Sequence, residues 1–125
     1  MKFGNEILIL RRSESVSTYK WRWGGISGFM EENENPLGRV VKEIKEEAGL
    51  EEGDFELLKE GRAFSFEDEY KEAKIKWKVH PFLFKVKTKK IKINKEHFEF
   101  KWINPEELWK YLTVPKLEKS LERVL

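Results

Sequence analysis

The stretch PLGRVVKEIKEEAG, Pro36 to Gly49, limits the possible folds of this chain more than any other. Proline is accommodated at the first turn of a helix and glycine closes one, so the two residues bracket a predicted helix over 36–49. At about 100° per residue, Leu37, Val41, Ile44 and Ala48 fall on one side, while Arg39, Glu43, Glu46 and Glu47 gather on the other. Like charges three and four apart on a helix repel by about 0.2–0.5 kcal/mol per pair. A solvated glutamate face in a Glu-rich chain is one explanation of that crowding. The other is an oxygen cage for Mg²⁺ or Mn²⁺, whose charge would relieve the repulsion.

The flanking sequence predicts strands on both sides of this helix. Ile7, Leu8, Ile9 and Leu10 run without interruption, as in a strand buried on both faces. Tyr19 to Trp23 alternates aromatic and basic residues before Gly24 and Gly25. Residues Phe55 to Phe66 and Ile75 to Val86 read as two long strands joined by an acidic tip, Glu67-Asp68-Glu69. Lys87 to Lys95 reads as an exposed connection. Phe98, Phe100 and Trp102 alternate as a further strand, after which Asn104 and Pro105 open a helix and a last helix begins near Thr113. Strands interleaved with helices in this order predict a layered α/β domain, residues 1–125, with a mixed β-sheet between helices.

Composition narrows the function. Charged residues make up 38% of the chain but the net charge is only +2, which disfavours nucleic acid as a partner. With no cysteine, no long apolar run and no leader of the secretory type, a soluble cytoplasmic protein without a membrane partner is expected. Oligomeric state is left open, a homodimer included.

Spacing then adds a resemblance. Gly28, five residues, Glu34, seven residues, a basic residue, Glu43, Ile44, one residue, Glu46, Glu47, one residue, Gly49 and Leu50 resemble the Nudix box, with eight of nine fixed positions in agreement. The departure is Lys42, where the family usually has Arg. Trp23-Gly24-Gly25 and the late run EHFEFKWI (Glu96 to Ile103) with PEEL (Pro105 to Leu108) extend the likeness along the chain.

The resemblance implies a Nudix-type α/β/α sandwich and a Mg²⁺- or Mn²⁺-dependent hydrolase that cleaves a diphosphate linkage in a nucleoside diphosphate derivative. It assigns Glu43, Glu46, Glu47 and the main-chain carbonyl next to Gly28 as metal ligands, leaves Glu34 to steady the loop, and makes Glu96 the candidate for a later general base. Arg39, one helical turn before Glu43, is expected to supply the guanidinium that Lys42 cannot. For the small-molecule nucleotide, Arg11, Arg12, Lys20 and Arg22 flank the glycine-rich segment as candidates for the phosphates, with Arg22 and Lys20 preferred, and Trp23, Phe66 and Trp77 are expected on the base. His80 reads as structural and His97 as a lone histidine. The segments Lys74-Ile75-Lys76-Trp77, Lys95-Glu96-His97 and Lys101-Trp102 are similar to the diadenosine tetraphosphate hydrolase branch, which puts nucleoside and dinucleoside polyphosphates ahead of ADP-ribose or oxidised nucleoside triphosphates. A Nudix-like module that binds a nucleotide or RNA without turnover is the alternative from another class.

Overall fold

A computed structural model describes residues 1–26 and 34–125. Gly28, with its neighbouring carbonyl, lies outside the described residues. The sheet contains β1 (Lys2–Phe3), β2 (Glu6–Arg12), β3 (Trp23–Gly24), β4 (Phe55–Glu60), β7 (Phe82–Val86) and β8 (His97–Ile103). Its order is β3-β2-β1-β7-β4, with β8 along the other edge of β2. The β1–β7 pair is parallel and the other pairs are antiparallel, which makes the sheet mixed. A separate hairpin is formed by β5 (Phe64–Tyr70) and β6 (Ala73–Val79).

Each face of the sheet is covered. Alternation along β2 sends Ile7 and Ile9 to one face, where they pack with Trp23, Ile103 and Leu108. A 3₁₀ segment (Pro105–Lys110) and the short helix α2 (Leu117–Glu122) close that side through Leu108, Leu117 and Leu121. On the other face, helix α1 (Pro36–Ala48) packs Ile44 and Ala48 against Phe84 and Val86. The result is the α/β/α layering expected from the order of elements.

Both ends of α1 are fixed by short-range chemistry. The Asn35 side chain accepts hydrogen bonds from Leu37 N and Gly38 N at 2.9 and 3.2 Å, satisfying two orphan donors of the first turn. Gly49 ends the helix at φ +68°, and a Cβ there would stand 2.8 Å from Lys92 Cβ. The Lys92 amide in turn donates to the Ala48 carbonyl at 2.9 Å, so the chain can cross the helix end closely only where no side chain projects.

Several expected elements differ. The predicted strands 55–66 and 75–86 each divide in two, at Gly61 and at Pro81, whose amide and carbonyl bond to each other at 2.9 Å. Proline has no N–H for a ladder, and the chain leaves one sheet for the other there. Glu67, Asp68 and Glu69 therefore lie inside β5, and the turn falls at Lys71 and Glu72, both with positive φ. Of 19–23, only Trp23 is in a strand, because Tyr19 and Trp21 take left-handed backbone at φ 49° and 66°. After Asn104 the chain makes a 3₁₀ segment instead of an α-helix, without a side-chain cap.

Ile44 is 1% exposed at the centre of the α1–sheet contact. Ile44→Ala is expected to lower stability by about 2–5 kcal/mol through loss of contacts and a residual cavity. Denaturant unfolding would measure this, and an Ile44→Ala midpoint equal to that of the wild type would contradict the packing.

Candidate active site

Glu43 and Glu47 do not lie on the solvent side of α1. Both are buried, at 4% and 2% exposure, next to Ile44 and Ala48. The correction follows from helix geometry: successive residues are only about 100° apart, so the ridge 39–43–47 borders the apolar stripe instead of opposing it. Glu46, one step further round, is exposed and lines a cleft of about 890 Å³. The cleft is bounded by α1, the sheet, the β5–β6 hairpin and the C-terminal segment, and Glu43 and Glu96 also line it.

The burial has electrostatic consequences. Loss of solvation pushes the Glu43 carboxyl up to about 7, and contact with the Glu47 carboxyl adds to this. Burial likewise pushes Glu47 up to about 7, opposed by the contact with the Glu43 carboxyl and by Arg12 and helped by the negative charges of Glu96 and Glu46. Arg39 Nη2 stands 2.7 Å from Glu43 Oε1, and its Nη1 is 3.8 Å from Glu34 Oε2. Lys42 is exposed and acts on Glu43 only through its charge.

Opposite α1, β8 begins with His97, whose Nε2 lies 2.7 Å from Glu47 Oε1. Burial lowers His97 to about 4, so the imidazole is neutral at pH 7 and the contact is a hydrogen bond. A β-bulge places it there. Arg11 pairs with Glu99 and Arg12 with His97, leaving Phe98 as the extra residue. In an unbroken ladder Arg12 would face Phe98. The bulge instead turns His97 to the face of β2 that carries Leu10 and Arg12, which is the α1 side, and leaves Phe98 57% exposed.

Around the bulge the chain is tied down. Ser13 and Ser15 hydroxyls donate to the Lys95 carbonyl at 2.6 and 2.7 Å, and the Ser13 amide to the Glu96 carbonyl at 2.9 Å. Glu47, Glu96 and His97 each bring one potential ligand atom within 4.8 Å of the others. Glu47 Oε2 is buried and meets no hydrogen-bond donor among the described residues. A buried carboxylate oxygen without a partner, beside a Glu43 carboxyl that resists ionisation and with Glu96 near, is the environment a divalent cation satisfies, so the residues fit such an ion.

The basic and aromatic candidates separate. Arg12 lines the cleft, with Nε and Nη2 donating to the Thr18 carbonyl and Oγ1 at 2.8 and 3.2 Å. Arg22 and Lys20 are not among the cleft's lining residues, and Arg22 lies over the Tyr19 ring instead. Trp23 is corrected outright: it is 6% exposed in the core on the far side of the sheet, stacked edge-on to Tyr111. Phe66 and Trp77 face each other across the hairpin and both line the cleft. Tyr19, which sequence reasoning missed as a site residue, anchors them by donating to Asp68 Oδ2 at 2.6 Å and accepting from Trp77 Nε1 at 3.2 Å. Its signal in the sequence is weak, because the contact joins residues 49 and 58 positions apart.

Comparison with known proteins agrees with the fold. The NUDIX domain family matches residues 1–124. An E. coli dihydroneopterin triphosphate pyrophosphohydrolase is similar in structure at TM-score 0.77 and 19% identity, over 95% of this chain and 84% of that one. A C. elegans Ap4A hydrolase in a binary complex is similar at TM-score 0.67 and 20% identity, over 94% and 82%. A MutT protein from Methanosarcina mazei Go1 is similar at 0.67 and 25%, over 98% and 85%. No curated protein matches the sequence at a significant level. No helix among the described residues is long and apolar enough to cross a membrane.

The raised carboxyls set the sign of a pH dependence. The unfolded chain ionises Glu43 and Glu47 near 4.5, whereas the metal-free folded protein does so only near 7. Stability from these groups is therefore full below about 4.5 and is lost as pH rises through 7. Between about pH 5 and 7 wild type should lose more thermal stability than Glu47→Gln, as differential scanning calorimetry would show. Parallel losses would contradict the burial assigned to Glu47.

Proposed function

Because this chain belongs to the Nudix hydrolase family, we propose that its cleft hydrolyses a diphosphate linkage in a nucleoside or dinucleoside polyphosphate. The observation that carries this reading is the placement of Glu43, Glu46 and Glu96 in one cleft with Arg12, Phe66 and Trp77. Acidic and basic groups there suit a phosphate chain, and the aromatic pair suits a base. The similarity of Lys74-Ile75-Lys76-Trp77 and Lys95-Glu96-His97 to the diadenosine tetraphosphate hydrolase branch supports the substrate class.

Nudix hydrolases generally use divalent metals, and Glu43, Glu46 and Glu47 are the residues that would hold Mg²⁺ or Mn²⁺ here. Such an ion supplies charge neutralisation at the phosphates and a lowered pKa for water. Glu96 accepts a proton from the attacking water as its oxygen bonds to phosphorus. The bridging P–O bond breaks, and the leaving phosphate departs with its oxygen. Arg12 holds a phosphate oxygen: Thr18 occupies two of its five donors and fixes the guanidinium plane. Arg39 orients Glu43 from one turn earlier, the contact that Lys42 does not make. Phe66 and Trp77 receive the base, and Tyr19 keeps the hairpin that carries them in place.

A panel of nucleoside polyphosphates, dinucleoside polyphosphates and ADP-ribose, incubated with Mg²⁺ or Mn²⁺ and read by product mass, tests the substrate class. Polyphosphates should be cleaved in preference. Turnover should vanish with a chelator and return with metal, and hydrolysis persisting in excess chelator would overturn the metal reading. Glu47→Gln should lower kcat by a few orders of magnitude with the fold intact, as measured by kinetics and circular dichroism. Arg12→Ala should reduce kcat/KM by about 10–100-fold, the cost of a lost charge-assisted hydrogen bond, and Arg12→Lys should not restore it. Wild-type kcat/KM in Arg12→Ala would remove Arg12 from the phosphate site.

A further inference from the structure

We propose that His97 is a positioning residue that sets the orientation of Glu47 for the cation, without ligating the cation itself. The inference rests on the reading of the α1 carboxylates as a metal site.

The two side chains are 3% and 2% exposed, and Nε2–Oε1 is 2.7 Å. They form a polar link between α1 and β8. A cation-bound carboxylate is ionised and only accepts hydrogen bonds, so in that state Nε2 carries the proton and donates to Oε1. That bond fixes the carboxylate plane and commits one oxygen. The second oxygen, Oε2, is left without a donor among the described residues. A pair serving stability alone would have both oxygens satisfied, because a buried acceptor without a donor is costly. Leaving one oxygen open is what a ligand carboxylate needs.

His97 itself is poorly placed to ligate. Its Nε2 is taken by Glu47, and its Nδ1 is buried without a partner among the described residues. Its neighbour Glu96 lines the cleft. The bulge at Phe98 thus divides the labour: consecutive residues present a carboxylate to the cleft and an imidazole to the back of Glu47. Partners of this kind behind metal ligands hold the ligand's rotamer, and their removal weakens metal binding by about 10–100-fold.

The test is Mn²⁺ affinity, read from the electron paramagnetic resonance signal of free Mn²⁺, for wild type, His97→Gln and His97→Leu. Circular dichroism and thermal unfolding accompany each titration. His97→Leu keeps bulk but has no donor and should weaken Mn²⁺ binding by about 10–100-fold. His97→Gln keeps an N–H donor at similar reach and should bind within a few-fold of wild type. Wild-type affinity in folded His97→Leu overturns the proposal and leaves the metal site standing. A wild-type protein that binds no Mn²⁺ overturns both. Should His97→Leu fail to fold, the ¹⁵N imidazole spectrum of the wild type in saturating Mg²⁺ decides. The proton should sit on Nε2 and exchange slowly, and a bare Nε2 overturns the proposal.

Discussion

Two carboxylates buried on one ridge of a helix are the costliest feature of this protein, and much of its architecture surrounds them. Neither ionises readily, since desolvation opposes charge on both, and the contact between them raises Glu43 further while easing ionisation of Glu47. Arg39 is the guanidinium that directly offsets one of them, from one turn earlier on the same ridge. Arg12 acts from the sheet on the other. A fold selected for stability alone would place apolar side chains here, because replacing buried ionic groups by hydrophobic ones is often neutral or favourable. Keeping them argues that the charge serves chemistry.

The helix could be read from the sequence because everything that defines it is local. Pro36, Asn35 and Gly49 act within one turn of its ends, and the link from Arg39 to Glu43 is a contact four residues apart. The sheet was harder. Gly61 and Pro81 were both visible in the sequence, but that they separate two sheets depends on a bond between residues twenty positions apart. Trp23 shows the opposite error: an aromatic beside basic residues and glycines looks like a ligand platform until pairing with β2 and Thr113 carries it into the core.

Within the site, the acidic residues and Arg39 are legible, and how the sheet brings its side chains to them is not. Glu43, Glu46 and Glu47 repeat at helical spacing, whereas Arg12 and His97 share a face only through strand register. Period-two alternation from Ile103 back along β8 would put His97 on the far face from α1, with the odd residues of β2. A single irregularity reverses that assignment, and no propensity of Phe98 announces it. Tyr19 was hidden for a related reason, because a positive φ in a tyrosine is set by its tertiary contacts to Asp68, Tyr70 and Trp77.

The bulge also fixes which kinds of sequence change this site can absorb. Phe98 points outward beside Trp21 and Arg11, so its identity matters to a surface cluster and little to the carboxylates. The number of residues between His97 and Glu99 is another matter. Removing Phe98 would close the bulge and still leave His97 opposite Arg12, whereas adding a residue would hand that place to a different side chain, without any change of residue type on α1. The geometry is thus written in chain length at this point. Variation among related chains should accordingly be free in side chain at position 98 but strict against insertion, because an extra residue there would carry the imidazole away from its place opposite Arg12.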